Sequence, residues 1–334
     1  MMPARSRALA SRGKWAAAGM AAAGLATIAM AVAVQRQTNE AERLNPPQGE
    51  FIHVEGVKLH YIDSGGSGPA VILLHGNGAM IADLEISALV DEIKARHRVI
   101  AFDRPGYGHS ERPRGRTWTP EDQARLFSKA FVQLEIERPV VFGHSWGTLV
   151  ALALAIRHPE NVSGLVLASG YYYPTARVDV VALSTPAVPV LGDALRYTIA
   201  PLIGWSIAPK AIGKMFAPLP VTERFNREFP VAMALRPSQL RASAEEAGIM
   251  VQSAEALQDD YRKIEVPVVI IAGENDEIVD QSMQSVRLLE DIPGSRLILL
   301  PEMGHMLHHF EAPLVADAIS ELAGSSTSAA KNAA

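Results

Sequence analysis

One serine stands in a setting typical of an enzymatic nucleophile. Residues 140–155 combine a β-branched run, the pentapeptide Gly-His-Ser-Trp-Gly and a small-residue stretch that is almost free of charge. This order predicts a strand, a sharp turn and a buried helix, with the hydroxyl of Ser145 exposed on the turn and flanking glycines that leave room for the crossing backbone. A serine hydroxyl needs a general base, an orienting acid and donors for an oxyanion. Ser145 is therefore a candidate nucleophile for acyl transfer.

The elements that must position this serine follow a strand and helix alternation. Short buried strands alternate with helical patterns from residue 51 to 170, stop at residue 171, and resume at about residue 264. Alternation with short connections predicts an α/β fold with a doubly wound, mostly parallel sheet. The interrupting stretch is rich in Pro, Ala, Leu and Met and predicts helices broken by prolines. We therefore expect a core of residues 51–170 and 264–323 and a helical insertion at 171–263.

Polar residues follow four of the expected strands. Asn77 follows the strand 70–74, Ser145 follows 140–143, the sequence Gly-Glu-Asn-Asp follows 266–272, and Pro-Glu-Met-Gly-His follows 296–300. In doubly wound sheets the ligand lies beyond the carboxyl ends of the strands. These four strand ends are therefore expected to build the functional site.

Five motifs in this order resemble the α/β-hydrolase family, and the resemblance covers residues 51 to 322. They are His-Gly-Asn-Gly at 75–78, Asp-Arg-Pro-Gly-Tyr-Gly-His-Ser at 103–110, Gly-His-Ser-Trp-Gly at 143–147, Gly-Glu-Asn-Asp at 273–276 and Gly-His at 304–305. The chain order of nucleophile, acid and histidine is the one expected of that fold. The resemblance implies that residues 171–263 form a cap over the active site.

The resemblance also implies a role for each site residue. His305 would be the general base for Ser145, and Asp276 would orient and stabilise its imidazole. The backbone N–H groups of Trp146 and Asn77 would form the oxyanion hole. Such chemistry requires no cofactor and no metal. His308 and His309 are expected in the following helix, and His75 and Asp103 are expected to fix loops.

One difference between this sequence and a related group of enzymes narrows the range of reactions that it could catalyse. Asn77 with Trp146 resembles the halide-binding pair of haloalkane dehalogenases, whose elbow carries an aspartate where this chain has Ser145. A serine cannot form the alkyl-ester intermediate of those enzymes, so the sequence favours a carboxylic ester hydrolase. A C–C bond hydrolase, a proline-type aminopeptidase and a perhydrolase use the same residues. The aminopeptidase would need carboxylates in the insertion, where Glu245 and Glu246 are expected on an exposed helix face.

Composition excludes other classes of protein. The chain of 334 residues has no cysteine, which excludes disulfides, a thiol nucleophile and cysteine-based metal sites. Its net charge is −5, and four of its positive charges lie within residues 1–14, so the remainder carries −9. An acidic body without a basic cluster argues against nucleic acid as a partner. A non-catalytic binding protein on the same fold stays an alternative, although such proteins often lose a residue of the triad.

The N-terminus predicts export. Residues 15–34 carry no charge and follow four positive charges, a pattern typical of a membrane anchor that leaves the body outside the cytoplasm. Ala-Met-Ala at 29–31 or Ala-Val-Ala at 31–33 offers the alternative of a cleaved signal and a periplasmic or secreted body. Residues 35–50 are expected to be a linker, and residues 324–334 a disordered tail. The insertion is poor in charge at 178–220, which predicts an apolar acyl ester as substrate. The oligomeric state is left open.

Overall fold

The computed structural model describes residues 4–175 and 184–333. Eight strands form one sheet: β1 (Glu50–Val54), β2 (Val57–Asp63), β3 (Ala70–Leu74), β4 (Arg98–Phe102), β5 (Val140–His144), β6 (Gly164–Ala168), β7 (Val268–Gly273) and β8 (Arg296–Leu300). Their order is β1-β2-β4-β3-β5-β6-β7-β8, in which only the pairs that include β2 are antiparallel. The predicted α/β fold with a mostly parallel sheet is confirmed.

Helices cover both faces of the sheet. They are α2 (Ile81–Ile86), α3 (Leu89–Lys94), α4 (Pro120–Gln133), α5 (Trp146–Arg157), α11 (Arg287–Asp291) and α12 (Ala312–Ala333). Alternate strand residues face opposite sides, so Ile72 packs with α4 and α5 whereas Val71 packs with α2, α3 and α12. Burial on both faces explains why the central strands are continuously apolar.

Among the described residues between β6 and β7, where the sequence predicts a helical insertion, the structure has five further α-helices. They are α6 (Leu191–Arg196), α7 (Ala200–Phe216), α8 (Glu223–Glu228), α9 (Val231–Ala234) and α10 (Pro237–Gln258). The predicted insertion also includes residues 176–183, which lie outside the described residues. Helix α10 is the longest of the five, and its contacts with the loops at the carboxyl ends of the strands are described below.

The N-terminal segment differs from the expectation of a linker at 35–50. Helix α1 (Ala4–Leu44) continues without a break to the residues just before the Pro pair, and β1 begins at Glu50. The polar residues support the helix along its surface, since Gln35 donates a hydrogen bond to Asn39 at 2.8 Å. Ala41 is buried against Met80 and Met233, which fixes the end of α1 against the folded body.

Two other features of α1 and α12 bear on the sequence predictions. The part of α1 from Gly19 to Leu44 contains a stretch of 18 residues that is long and apolar enough to cross a membrane, by length and composition. At the other end, α12 continues to Ala333, so the structure contradicts the disordered tail expected at 324–334. Alanine has the highest helix propensity, and the Ala-rich tail extends the preceding helix.

Candidate active site

The nucleophile elbow joins β5 to α5 at a strained residue. Ser145 has φ 51° and ψ −118°, a backbone conformation that is energetically unfavourable for any residue with a Cβ atom. A Cβ on Gly143 would lie 2.6 Å from the carbonyl oxygen of Gly147, and a Cβ on Gly147 would lie 2.3 Å from that of Leu74. Close packing of α5 against β3 and β5 therefore requires both glycines and holds the serine in the turn.

Asp276 and His305, the expected acid and base, meet at the ends of β7 and β8. Asp276 Oδ1 accepts backbone hydrogen bonds from Ile278 at 2.7 Å and Val279 at 3.0 Å. Its Oδ2 lies 2.8 Å from Nδ1 of His305, and both side chains are buried. A carboxylate can only accept, so Nδ1 carries a proton and Nε2 is left as the basic nitrogen.

His144, the residue before Ser145, contacts the loop that carries His305. His144 Nε2 lies 3.0 Å from the backbone oxygen of His305, and the two rings are 5.0 Å apart. Within residues 19–175 and 184–324, whose side chains are described, no hydrogen bond joins the Ser145 hydroxyl to His305. Catalytic hydrogen bonds are often long before substrate binds, so the arrangement is compatible with a base that engages the serine in the complex.

The expected oxyanion donors lie around the same serine. A Cβ on Gly76 would lie 3.1 Å from Cβ of Ser145, so the loop after β3 passes directly beside this serine. Trp146 opens α5, and the first N–H groups of a helix have no partner within it. In the described part of the chain, the backbone N–H groups of Trp146 and Asn77 have no acceptor. They are available to bind an oxyanion.

The side chain of Asn77 has a separate role that sequence reasoning missed. Its amide nitrogen donates to the backbone oxygen of Ser243 at 3.0 Å, and its amide oxygen accepts a hydrogen bond from the Ser243 hydroxyl. Ser243 lies on α10, so this pair ties the loop beside the nucleophile to the insertion. No local sequence pattern signals it, because the two residues are 166 positions apart.

A comparison with family models identifies the chain. Residues 69–312 match the model of the alpha/beta hydrolase fold, a range that contains Ser145, Asp276 and His305. The chain belongs to this family. It is an α/β-hydrolase-fold protein, called the hydrolase below after its family, and the resemblance drawn from its motifs is confirmed.

Similar proteins within the family differ in their named activities. The hydrolase is 28% identical over 142 residues to haloalkane dehalogenase 2 of Mycobacterium tuberculosis, covering 42% of this chain and 49% of that protein. It is 35% identical over 137 residues to the 2-hydroxymuconate semialdehyde hydrolase of Pseudomonas sp., covering 40% of this chain and 48% of that one. The hydrolase thus spans about half the length of each of these curated relatives.

A solved structure resembles the hydrolase over nearly its whole length. A bacterial membrane phospholipase A aligns with a TM-score of 0.63 at 19% identity, covering 96% of this chain and 99% of that chain. At this identity the likeness shows the fold alone.

A buried arginine holds the loop after β3, the expected oxyanion loop, in place. Arg104 Nε donates to the backbone oxygen of His75 at 2.8 Å, and one of its terminal nitrogens donates to that of Gly76 at 3.1 Å. The same guanidinium pairs with Glu246 of α10 at 2.6 Å, and both side chains are fully buried. The expectation that Glu246 lies on an exposed helix face is therefore wrong, because Arg104 supplies a partner from the core. Glu245, half-buried, pairs with Arg112 at 2.6 Å.

The charge states around this arginine follow from burial and pairing. Burial alone would raise the pKa of Glu246, but the Arg104 guanidinium outweighs it and holds that pKa below its usual value. Burial lowers the pKa of His75 to about 4, so the ring is neutral at pH 7. Its Nε2 accepts the backbone N–H of Arg104 at 3.0 Å and its Nδ1 lies 2.8 Å from the oxygen of Gly76. His75 fixes the loop, as the sequence predicts.

A second aspartate and histidine cluster contains two histidines that lie close to His305 in the chain. Asp83 of α2 lies 3.1 Å from Nε2 of His308 and 2.8 Å from Nε2 of His309, and all three side chains are buried. The two histidines form a turn of 3-10 helix at 307–309, so their expected place in the following helix is wrong. The spacing of two histidines after His305 is the only sequence signal that could have drawn attention to them.

These three side chains lie close enough to hold a metal ion, but their surroundings favour a hydrogen-bonded network. The candidate ligand atoms lie within 4.8 Å of one another. A metal on Nε2 of His308 would place the proton on Nδ1, which is buried and has no acceptor in the part of the chain that the structure describes. With the proton on Nε2, both histidines instead donate to Asp83, and the pKa of this carboxyl, which burial would raise, is held well below its usual value by His308 and His309.

A cavity of about 590 Å³ opens beside the acid loop of the hydrolase. It is lined by Tyr171, Thr175 and residues of 274–284, including Asp276. Neither Ser145 nor His305 lines it, so its volume does not measure an acyl pocket.

Proposed function

We propose that this hydrolase cleaves an apolar carboxylic ester through an acyl-serine intermediate, with Ser145, Asp276 and His305 as the catalytic residues. The observation that carries the proposal is the 2.8 Å contact between His305 Nδ1 and Asp276 Oδ2, next to a serine held at φ 51°. This contact fixes the tautomer that leaves Nε2 free to accept a proton.

The reaction would proceed in two proton-coupled steps. His305 Nε2 takes the Ser145 proton as the oxygen attacks the ester carbonyl, and the N–H groups of Trp146 and Asn77 bind the oxyanion. The imidazolium returns the proton to the alkoxide that leaves, which forms the acyl-serine. Water then attacks the acyl carbonyl by the same route and restores the serine. The chain's own side chains supply each proton transfer, and we assign no cofactor.

Two observations weigh against a dehalogenase. Ser145 stands where that reaction needs a carboxylate, because an alkyl-enzyme ester forms on a carboxylate oxygen. The Asn77 amide also binds Ser243 through both its nitrogen and its oxygen, so it is already engaged with α10. Only one of the two amide hydrogens of Asn77 is then left to pair with the indole N–H of Trp146, which is buried without an acceptor among the described residues.

The same contacts support the role of the insertion as a cap. Helix α10 touches the site loops through Ser243 and Glu246, and Gln239 accepts the backbone N–H of Gly108 at 3.0 Å. We therefore propose that residues 171–263 cover an active site built by residues 51–170 and 264–323. The low charge of the insertion favours an acyl group that is medium-chain, aromatic or lipid-like.

We further propose that α1 anchors the hydrolase in a membrane with its body outside the cytoplasm. The support is the charge-free run at 15–34, preceded by Arg5, Arg7, Arg12 and Lys14. The alternative is a cleaved signal, and the N-terminal sequence of the purified protein distinguishes the two.

The test uses the full chain and a series of p-nitrophenyl esters. Ser145→Ala should lose ester hydrolysis and labelling by a fluorophosphonate, whereas the exposed Ser206→Ala should keep both. Ser145→Ala with activity within about tenfold of the parent would refute the mechanism. A rise of kcat/KM from acetyl to hexanoyl supports the apolar pocket, and a maximum at acetyl contradicts it. Labelling without ester turnover would favour the C–C, peptide or perhydrolase alternatives, and no labelling of folded protein would favour a binding protein.

A further inference from the structure

The insertion exposes a large apolar surface, which we call the cap face. Most of the exposed large apolar side chains outside α1 lie within residues 188–207: they are Val188, Val190, Leu191, Tyr197, Ile199, Leu202, Ile203, Trp205 and Ile207. Ile207 is 54% exposed and Trp205 is 45% exposed. Soluble domains rarely leave so many apolar side chains together in water, and such a patch marks an interaction surface.

The cap face continues into a basic stripe along α7. Ile203, Ile207, Lys210 and Lys214 follow one another at spacings of three or four residues, so they share one side of the helix. All four are exposed. The outward side of α7 is therefore apolar in its first half and positively charged in its second half.

The charge of this segment is opposite to that of the body. No Asp or Glu occurs between Asp193 and Glu223, although the chain as a whole is acidic. Exposed apolar and aromatic side chains with flanking lysines are the composition of helices that lie in the headgroup region of anionic membranes.

Helix α7 also lies beside the place where α1 enters the body. Ala41 of α1 packs against Met233 of α9, and Glu42 pairs with Arg236 at 2.8 Å. Leu235 directly follows α9 and approaches α7, because a Cβ on Gly204 of α7 would lie 2.5 Å from its side chain. Ala41 stands seven residues beyond the end of the charge-free run, which is about 10 Å along a helix. The membrane surface would therefore lie close to α7.

We propose that the cap face docks on the anionic bilayer that α1 spans, with α7 lying in the headgroup region. The inference rests on the anchoring by α1 that is proposed above. Ile203 and Ile207 would enter the acyl boundary, while Lys210 and Lys214 contact lipid phosphates. The insertion would then be held at the membrane by two contacts, one through α1 and one through α7.

The test exploits the absence of native cysteines. Single variants Ile203→Cys and Ile207→Cys carry a nitrobenzoxadiazole label in the full chain, reconstituted in nanodiscs that contain phosphatidylglycerol. Leu25→Cys in α1 reports insertion of the anchor, and Val132→Cys, 70% exposed on α4, is the matched control on the body. We expect a blue-shifted emission that doxyl lipids quench at positions 25, 203 and 207, and no quenching at position 132.

Each of the other outcomes refutes either the anchoring by α1 or the docking of the cap face. If the label at position 25 is quenched but the labels at positions 203 and 207 behave like the one at position 132, the anchoring stands and the docking is overturned. No quenching at 25 overturns the anchoring and the docking that rests on it. A blue shift at 203 that needs two chains in one disc, without lipid quenching, identifies a contact between copies and overturns docking.

A charge variant tests the basic stripe. Lys210→Glu with Lys214→Glu should reduce the quenching at 203 at least about threefold in anionic discs and leave that at 25 unchanged. The thermal midpoint of this variant should equal that of the parent, which shows that the fold is kept. Unchanged quenching at 203 would contradict the role of the lysines and with it the choice of an anionic bilayer.

Discussion

Arg104 and Glu246 form a fully buried ion pair that joins the loop after β4 to α10. One terminal nitrogen of the arginine lies 2.6 Å from Oε1 of the glutamate and the other lies 3.0 Å from Oε2. Tyr107 donates a further hydrogen bond to this carboxylate at 2.7 Å. Because Arg104 also binds the backbone of His75 and Gly76, the insertion and the oxyanion loop share one charged residue.

Removing the charge of Glu246 should destabilise the fold strongly. Glu246→Gln leaves Arg104 buried without a counterion, which typically costs about 3–5 kcal/mol. The neighbouring Glu245→Gln removes a partly exposed carboxylate from Arg112, which keeps Glu246 at 3.6 Å, and should cost less. Urea unfolding measures both. Equal losses for the two variants would contradict the importance of the buried pair.

The triad should behave as one unit in kinetics. Asp276→Asn and His305→Ala should each lower kcat by at least about a thousandfold, because Ser145 is a weak nucleophile without its base. The double variant Ser145→Ala with His305→Ala should be no slower than Ser145→Ala alone. A further tenfold loss in the double variant would show that His305 acts independently of the serine.

Glycine at 147 should be irreplaceable, whereas glycine at 213 should not. Gly147→Ala places a Cβ 2.3 Å from the carbonyl oxygen of Leu74, so we expect a lower thermal midpoint and loss of ester turnover. Gly213 lies in α7 with no atom within 4 Å of an added Cβ. Gly213→Ala should stabilise by about 0.5–1 kcal/mol through helix propensity. A similar midpoint for the two variants would refute the steric account of the elbow.

Asp83 should stabilise the turn that carries His305. Asp83→Asn leaves His308 and His309 without a common carboxylate, so we expect a lower thermal midpoint and a lower kcat with little change in KM. Ser87→Ala, which changes a buried polar residue on the same segment, is the control. Zinc should leave the midpoint of the parent unchanged. A zinc-dependent rise that Asp83→Asn abolishes would identify a metal site instead.

Stability should fall in acid because of His75. Its pKa is about 4 in the folded protein and 6.5 when unperturbed, so between these values the unfolded chain binds the additional proton. Stability therefore rises with pH in this window, and one such group contributes about 3 kcal/mol that is lost as the pH falls from about 6.5 to about 4. The lowered pKa values of Asp103 and Glu246 add losses in the same direction. His75→Asn should reduce the slope of the free energy of unfolding against pH by up to the equivalent of one bound proton. An unchanged slope would contradict the assignment.

The site could be predicted where its signals are local in sequence. Ser145 lies between two glycines that packing requires, and His305 follows Gly304 at the end of a strand, so short motifs mark both. The partner of Arg104 lies 142 residues away and that of His309 lies 226 residues away. Such pairs form only when the sheet brings the loops together, which explains why Glu246 was assigned to a surface and Asp83 was not singled out.

The end of α1 was misread for a different reason. The Pro pair at 46–47 suggests a linker, yet proline ends a helix without preventing the residues before it from being helical. The hydrogen bond between Gln35 and Asn39 and the burial of Ala41 stabilise the helical conformation of this segment.

The contact between the end of α1 and the body determines which shortened forms of the chain keep their packing. Signal-peptidase cleavage after Ala31 or Ala33 would leave Val34, Ala41 and Glu42 on the released body, so the contact with α9 survives processing. An expression fragment that begins at Glu50 would instead uncover Met80 and Met233 and leave Arg236 without the Glu42 carboxylate. Secreted and tethered forms can therefore share one folded body, whereas a fragment trimmed to the first strand cannot.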